Sequence, residues 1–405
     1  ALRDWGKAHR FAGSKDRSAI GSMVHDALRL KSSVLWRMDT DTPRALVLGL
    51  LVFVWGDDIA FISEQFEQDG HSPAALSEVE ITLLKGKRDI ASAPEWIQAD
   101  IPEWIWPSFE NNYGEHAIEE GKALTQRPPL DLRVNTLKKD RASVQKALKE
   151  FNVENTALSP IGLRITAGPC LERLPNIQSE PSFLMGDVEI QDEGSQLVSL
   201  LVDAKPGEKI LDYCAGGGGK TLALAAMMDN QGTIYAYDID KRRLAPLYQR
   251  AMRAGAENIE ICQPPVKSLD KLVGKMDRVL VDAPCTGSGT WRRKPDAKWR
   301  LSEDTLLVRM NEQKAVLSQA QAYVKPGGIL IYVTCSMFAE ENEGQVYNFL
   351  DKHKGFELLS AGEVFEDLIG EGKFKPWSED GCTVTLTPAS TQTDGFFFSV
   401  MQKKV

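Results

Sequence analysis

The sequence predicts an α/β protein: a doubly wound, mostly parallel sheet, preceded by a small α+β module and an N-terminal helical region. Three observations carry the prediction. Short apolar runs alternate with longer helical stretches from about Gly186 onward. A breaker signal, Gln126-Arg127-Pro128-Pro129, separates the alternating part and its leading module from a helical beginning. A glycine-rich turn follows the first strand-like run of the alternating part, at the edge where open parallel sheets bind ligands. At 405 residues the chain exceeds one typical core, and the expected division is 1–125 helical, 126–185 α+β and 186–405 doubly wound.

In the helical region, Ile20, Met23, Val24, Ala27 and Leu28 fall on one helical face. The apolar run from Ala45 to Trp55 is about half of the ~20 residues a membrane span requires, and reads as a buried helix. Ser77-Glu78-Val79-Glu80 has capping-box spacing ahead of Ile81, Leu83 and Leu84. Pro94-Glu95-Trp96-Ile97 recurs as Pro102-Glu103-Trp104-Ile105, too short a repeat to define a fold. In the module, Leu130 to Leu137 reads as a strand, Ala142 to Phe151 as a helix and Gly162 to Thr166 as a second strand. The alternating part supplies Lys209–Tyr213, Thr233–Tyr237, Ile259–Cys262, Arg278–Val281 and Ile329–Val333 as parallel strands. Phe396–Met401 follows as a late antiparallel strand near an edge.

Apolar content of 42% and charged content of 26% are ordinary for a soluble globular chain. The six cysteines are scattered without a C-x-x-C pair, so zinc and a disulfide framework have little support. No secretory signal opens the chain. Reduced thiols, a cytoplasmic monomer, no metal and no membrane partner are the expectations. A net charge of −9 argues against a broadly nucleic-acid-binding surface. The segment from Trp291 to Arg300 is different, with Arg292, Arg293, Lys294, Lys298 and Arg300 opposed only by Asp296 and two tryptophans interleaved. Such a local patch suits RNA phosphate and base contact.

Ile210-Leu211-Asp212-Tyr213 is followed by Cys214-Ala215-Gly216-Gly217-Gly218-Gly219-Lys220-Thr221. A turn of this kind brings backbone N–H groups close to a ligand. Asp238, which ends the next strand, is placed to accept hydrogen bonds from ribose hydroxyls. Three readings compete. A nicotinamide site wants G-x-G-x-x-G, and the window 216–221 lacks the final glycine. A phosphate-binding NTPase loop is matched at its end by Gly219-Lys220-Thr221, and Val279 to Asp282 imitates its acidic strand, but Cys214 stands where its first glycine belongs. S-adenosylmethionine carries a sulfonium and no phosphate; it needs the tight turn and the ribose carboxylate, and both are present.

Asp282-Ala283-Pro284-Cys285 and Thr334-Cys335-Ser336 each close an apolar run. One cysteine ending a strand is usually an inert buried residue. Two at neighbouring strand ends, on the ligand-binding edge of a sheet, point to thiolate chemistry in one pocket. Taken singly, Asp282 reads as a turn or cap residue, Lys220 as a surface charge and Arg243 as a solvated one.

With Arg133-Val134-Asn135-Thr136, Gln191 to Leu197, Pro295 to Trp299 and Asp394-Gly395-Phe396-Phe397, these stretches resemble the RNA (cytosine-5) methyltransferase family over roughly residues 127–405. That family includes the bacterial 16S ribosomal RNA methyltransferase B and the eukaryotic NSUN enzymes. The helical part lies where the bacterial enzyme carries a NusB-like domain. The resemblance implies a Rossmann-like class I methyltransferase, S-adenosyl-L-methionine as cofactor, and an RNA substrate: 16S-like ribosomal RNA, with transfer RNA open. It further implies that the thiolate of Cys335 attacks carbon 6 of cytosine and that Cys285 assists resolution of the adduct. Asp282 would hydrogen-bond the cytosine edge, and Lys220 would lie in the site as a cation. Cys214, Ala215, Gly216, Gly217, Gly218, Gly219, Lys220, Asp238 and Asp282 are expected at the cofactor. Arg133, Asn135, Arg292, Arg293 and Lys298 are expected at the RNA.

Two departures stand out. Gln263-Pro264-Pro265-Val266 replaces the stretch where family members place an acidic residue against adenine, and Gly216-Gly217 stands where Ala-Pro is usual. An RNA-binding assembly factor with an idle catalytic domain is the alternative of another class; the intact cysteine pair argues against it.

Overall fold

The computed structural model describes residues 2–66, 72–86, 88–370, 375–376, 378 and 380–405. The chain divides into two compact units. One holds residues 1–127 together with 167–173 and 291–300; the other holds 128–166, 174–290 and 301–405.

The first unit is helical. Helix Pro43–Gly49 starts with proline in its first turn and with the Thr42 hydroxyl accepting from Ala45 N at 3.2 Å, then continues through the π-turn Leu50–Val54. The apolar run is thus helical as expected, but half-buried: Leu48 and Leu50 are buried and Val54 is exposed. Met38, Ala45, Leu48, Ile62 and Leu84 form its core. The expected capping box is formed: Glu80 N donates to Ser77 Oγ at 3.2 Å, and Ser77 N donates to Glu80 Oε2 at 2.8 Å. Segment 291–300 joins the unit through helix Pro295–Arg300, where Trp299 Nε1 donates to Leu28 O at 2.6 Å.

The second unit contains two sheets. The smaller is antiparallel, with β1 (Leu130–Val134), β2 (Glu154–Asn155), β3 (Gly162–Ile165) and β4 (Val188–Ile190) in the order β2-β3-β1-β4. Leu132, Val134, Val144, Leu163 and Val188 make its core. Strands β2 and β4 escape a reading by periodicity because two or three residues cannot display alternation.

The larger sheet is built from β5 (Lys209–Asp212), β6 (Thr233–Tyr237), β7 (Ile259–Cys262), β8 (Met276–Asp282), β9 (Val324–Thr334), β10 (Phe356–Leu359), β11 (Thr383–Leu386) and β12 (Phe396–Lys403). Its order is β10-β12-β9-β8-β5-β6-β7, with β11 also paired to β12. Strands β5 to β9 run parallel and β12 antiparallel to β9. The late strand therefore sits one position in from the β10 edge. Its first six residues are all buried, as an interior strand requires. Alternate side chains serve opposite faces: Ile210, Leu280, Ile331 and Phe398 enter one core, while Leu211, Val279, Leu330 and Phe397 enter the other. From β5 the chain winds outward through β6 and β7, then returns to lay β8 and β9 on the other side. That reversal opens a crevice at the carboxyl ends of β5 and β8, where the motifs converge.

Candidate active site

The glycine turn runs from β5 to helix Gly219–Met227. Ala215 N donates to Tyr237 O at 2.9 Å and Gly216 N to Asp238 Oδ2 at 3.0 Å, so the turn is laced to the end of β6. Gly218 has φ +80°, and a Cβ there would lie 2.2 Å from Leu247 Cδ1; only glycine fits. Asp238 is 1% exposed, and its Oδ1 accepts from Asp240 N at 2.9 Å while Arg243 Nη1 lies 3.4 Å from Oδ2. The carboxylate is thus held rigidly at the strand tip.

The small sheet grips this turn. Arg133, on β1, is buried and donates to Gly219 O at 2.6 Å and to Gln191 Oε1. Burial lowers its pKa to about 10. Arg250 donates to Gly217 O and pairs at 3.0 Å with Glu189 on β4, which also binds Arg253. Asn135 donates to Gly186 O at 2.9 Å and to Ala254 O at 2.8 Å. Arg133 and Asn135 therefore spend their polar groups inside the unit rather than on an open surface. Their motif marked them as important, but spacing carried no signal of what they touch.

Beside the turn lies a cavity of about 780 Å³. Cys214, Asp238 and Ile239 form one side of it, Pro264, Pro265 and Val266 another, and Arg309 and Glu312 of helix Glu303–Ala320 a third. These residues fit an adenosyl group: a fixed carboxylate for ribose and apolar prolines and valine against a flat base, in place of the missing acid. Ile239 is 82% exposed, an apolar side chain offered to a ligand face.

Strands β8 and β9 are neighbours, and their ends bring the two cysteines together. Cys285 Sγ and Cys335 Sγ lie 3.3 Å apart, and both residues are partly exposed. Next to them Lys220 Nζ pairs with Asp282 Oδ2 at 2.7 Å, and the Asp282 side chain remains 33% exposed. Burial works against the Lys220 charge, but Asp282, then Cys335 and Asp212, outweigh it and hold its pKa above the usual value. Lys220 is a permanent cation. The hydrogen bond between Cys285 and Cys335, then burial, raises the Cys285 pKa well above that of an ordinary thiol. Cys214 is likewise raised, by burial and then by Asp238. Asp212, at the tip of β5, is pushed by burial up to about 7, although the Thr221 hydroxyl at 2.7 Å pulls the other way.

One residue here escapes sequence reading. Glu341 is fully buried and accepts hydrogen bonds from the residue after each cysteine, Thr286 and Ser336. It stands in the run Glu340-Glu341-Asn342-Glu343, where nothing in residue type or spacing singles it out.

The cationic segment needs correction as an open patch. Lys298 is fully buried, donates to Arg29 O at 3.0 Å, and has its pKa lowered by burial to about 8. Arg292 is 4% exposed and its carbonyl accepts from Arg29 Nε at 2.8 Å. Arg293 is half-buried, whereas Lys294 and Arg300 are exposed. The physical reason is the pair of tryptophans, which draw the segment into the helical unit and take the stems of its cations with them.

Comparisons with known proteins bear on the family of the chain. The family described as 16S rRNA methyltransferase RsmB/F matches residues 199–402, and a ferredoxin-like domain described as RsmF/B-like matches residues 101–170. A probable ribosomal RNA small subunit methyltransferase B of Synechocystis is 36% identical over 76% of this chain and 67% of its own length. That of Bacillus subtilis is 33% identical over 75% of this chain and 66% of its own. The chain thus spans about two thirds of the length of these relatives. Among solved structures, PH0851 matches with a TM-score of 0.76 at 26% identity, covering 99% of this chain and 93% of that one. A methyltransferase homolog from Pyrococcus horikoshii matches with a TM-score of 0.62 at 30% identity, covering 76% of this chain and 97% of that one. The chain therefore belongs to the RsmB/F family of 16S rRNA methyltransferases, and its cofactor is S-adenosyl-L-methionine.

Proposed function

We propose that this protein is an RNA cytosine-5 methyltransferase that acts on ribosomal RNA through a covalent adduct between Cys335 and carbon 6 of the target base. The observation that carries the reading is the 3.3 Å approach of Cys285 and Cys335 beside the Lys220–Asp282 pair. Carbon 5 of cytosine is a poor nucleophile. Addition of the Cys335 thiolate forms an Sγ–C6 bond and moves the ring electrons toward carbon 5. Lys220 favours the thiolate by its charge. Asp282 holds the base edge and favours protonation at N3, which absorbs the charge displaced by the attack. When bound, S-adenosylmethionine supplies an electrophilic methyl group. A base takes the carbon 5 proton, the C–H electrons restore the ring double bond and the Sγ–C6 bond breaks to return the Cys335 thiolate; Cys285 assists that resolution. The turn Cys214–Gly219, Lys220, Asp238 and Asp282 form the cofactor wall in this reading.

The target cytosine must be unstacked, because the thiolate approaches carbon 6 from above the ring. Ribosomal RNA as substrate is supported by the names of the relatives. We assign RNA contact to the helical region and to the segment 291–300, through its exposed Lys294 and Arg300. Transfer of labelled methyl to 16S ribosomal RNA and to transfer RNA tests the whole. Native protein is expected to label the ribosomal RNA, Cys335→Ala to lose transfer, and Cys285→Ala to leave a covalent protein–RNA band on a denaturing gel. Transfer surviving in Cys335→Ala overturns the nucleophile. Labelling of transfer RNA alone overturns the substrate, and RNA binding without any transfer leaves an assembly factor.

A further inference from the structure

We propose that Cys285 and Cys335 form an oxidative modification site, where a peroxide converts the pair to a disulfide and silences the active site reversibly. The proposal rests on the reading of Cys335 as nucleophile for its effect on methyl transfer, but not for the linkage itself. The two Sγ atoms lie 3.3 Å apart. Closing to the ~2.05 Å of a disulfide asks for about 1.2 Å of movement, shared between two side chains. The strands supply the spacing. Cys335 directly follows β9, Cys285 lies just past the end of β8, and the two strands are parallel neighbours with Asp282 opposite Val333. Adjacent strands run ~4.8 Å apart, inside the ~4.4–6.8 Å that a disulfide spans between Cα atoms.

Both loops are pinned in this approach. Ala283 N donates to Val333 O at 2.9 Å, and Gly289 N donates to Cys335 O at 3.0 Å. The Glu341 carboxylate accepts from Thr286 N at 2.9 Å and from the hydroxyls of Thr286 and Ser336, the residues next to each cysteine. The thiols therefore meet as a standing contact of the folded chain. Both cysteines are partly exposed, so a small oxidant reaches them. Cys262 and Cys382, by contrast, turn their sulfurs to the backbone carbonyls of Glu260 and Asp380.

The chemistry balances with hydrogen peroxide as the oxidant. One sulfur of the pair attacks the O–O bond and takes a hydroxyl; the other oxygen leaves as water with the thiol proton, and a sulfenic acid remains. The second thiol attacks that sulfur, the S–O bond breaks, and the hydroxyl leaves as water with the second proton. Two thiols and one peroxide become one disulfide and two waters, and a thiol reductant reverses the change by exchange. Once linked, Cys335 has no thiolate to offer and transfer stops. The link also protects. An isolated sulfenic acid proceeds to sulfinic and sulfonic acids, which are not recovered, whereas a neighbour at 3.3 Å intercepts it.

The test treats native protein, without RNA or cofactor, with hydrogen peroxide, and maps its peptides by mass spectrometry without reductant. The expected product joins the Cys285 and Cys335 peptides at the cost of two hydrogens, and dithiothreitol restores both thiols. Methyl transfer to 16S ribosomal RNA is expected to fall with the linked fraction and to return on reduction. In Cys285→Ser the resolving thiol is gone, and Cys335 is expected to reach sulfinic and sulfonic acid roughly tenfold faster than in native protein. Native protein that carries those acids at Cys335 without the link overturns the proposal, as does a link to another cysteine in its place. Equal over-oxidation of native protein and Cys285→Ser overturns it too; if that variant does not fold, the native link and its reversal decide. A link with undiminished transfer overturns the silencing, and Cys335 as nucleophile with it. Absence of transfer in unoxidised protein overturns the function and leaves the link standing.

Discussion

Asp212 ends β5 beneath the glycine turn, is 1% exposed, and leaves its Oδ1 buried without a hydrogen-bond partner while Oδ2 takes the Thr221 hydroxyl. Burial raises its pKa from 3.8 to about 7. A carboxyl raised on folding favours the protonated native state, so its contribution is complete below about pH 4 and is lost as pH climbs through about 7. At 1.36 kcal/mol per pH unit, the full difference is about 4 kcal/mol, of which about 2–3 kcal/mol disappears between pH 5 and 8. Asp212→Asn keeps the shape and stays neutral throughout. Urea unfolding of the native and Asp212→Asn proteins at pH 5, 6.5 and 8, followed by circular dichroism, isolates this contribution. The native protein is expected to weaken with pH relative to the variant by that amount. Parallel curves for the two proteins would refute the reasoning. Its charge also bears on the neighbouring Asp282 and Lys220.

Three further outcomes are expected. Lys220→Met removes the partner of a carboxylate that is one-third exposed, and should cost about 1–3 kcal/mol while slowing iodoacetamide at Cys335; an unchanged alkylation rate contradicts the role given to the cation. Gly218→Ala combines a φ of +80° with a Cβ 2.2 Å from Leu247 Cδ1, and should lower stability by about 1–3 kcal/mol and weaken cofactor binding, checked by melting and calorimetry. Arg133→Met frees the Gly219 carbonyl, and should weaken S-adenosylmethionine binding by about tenfold with RNA affinity unchanged in a filter assay; loss of RNA affinity instead returns Arg133 to the RNA surface.

The inner parallel strands were legible because burial on both faces gives apolar runs bounded by turns, and the edge strand β7 by the alternation of Ile259 and Ile261 about exposed Glu260. Thr233–Tyr237 and Ile259–Cys262 match to the residue, and Phe396 opens the late strand as expected. Strands β10 and β11 were not legible: each is four residues long and lies outside the regular strand–helix alternation that flags the equally short β7. The meeting of the two cysteines was legible from their places at strand ends. The fate of Arg133, Asn135 and Lys298 was not. A basic or amide side chain reads as a surface group unless its buried acceptors are known, and here those acceptors are backbone carbonyls that no residue type announces: Gly219 O, Gly186 O and Arg29 O. Segment 291–300 was misread for the same reason, since its tryptophans decide its place and its charges follow.

The hold of Arg133 and Glu189 on the glycine turn has a consequence for anyone building hybrids of these enzymes. The module cannot be exchanged by itself: a foreign β1 or β4 would leave Arg250 and Arg253 without their shared acid and the Gly219 carbonyl without its donor. Splicing ahead of Pro128 moves grip and gripped together, and the small sheet then arrives with the glycine turn it holds.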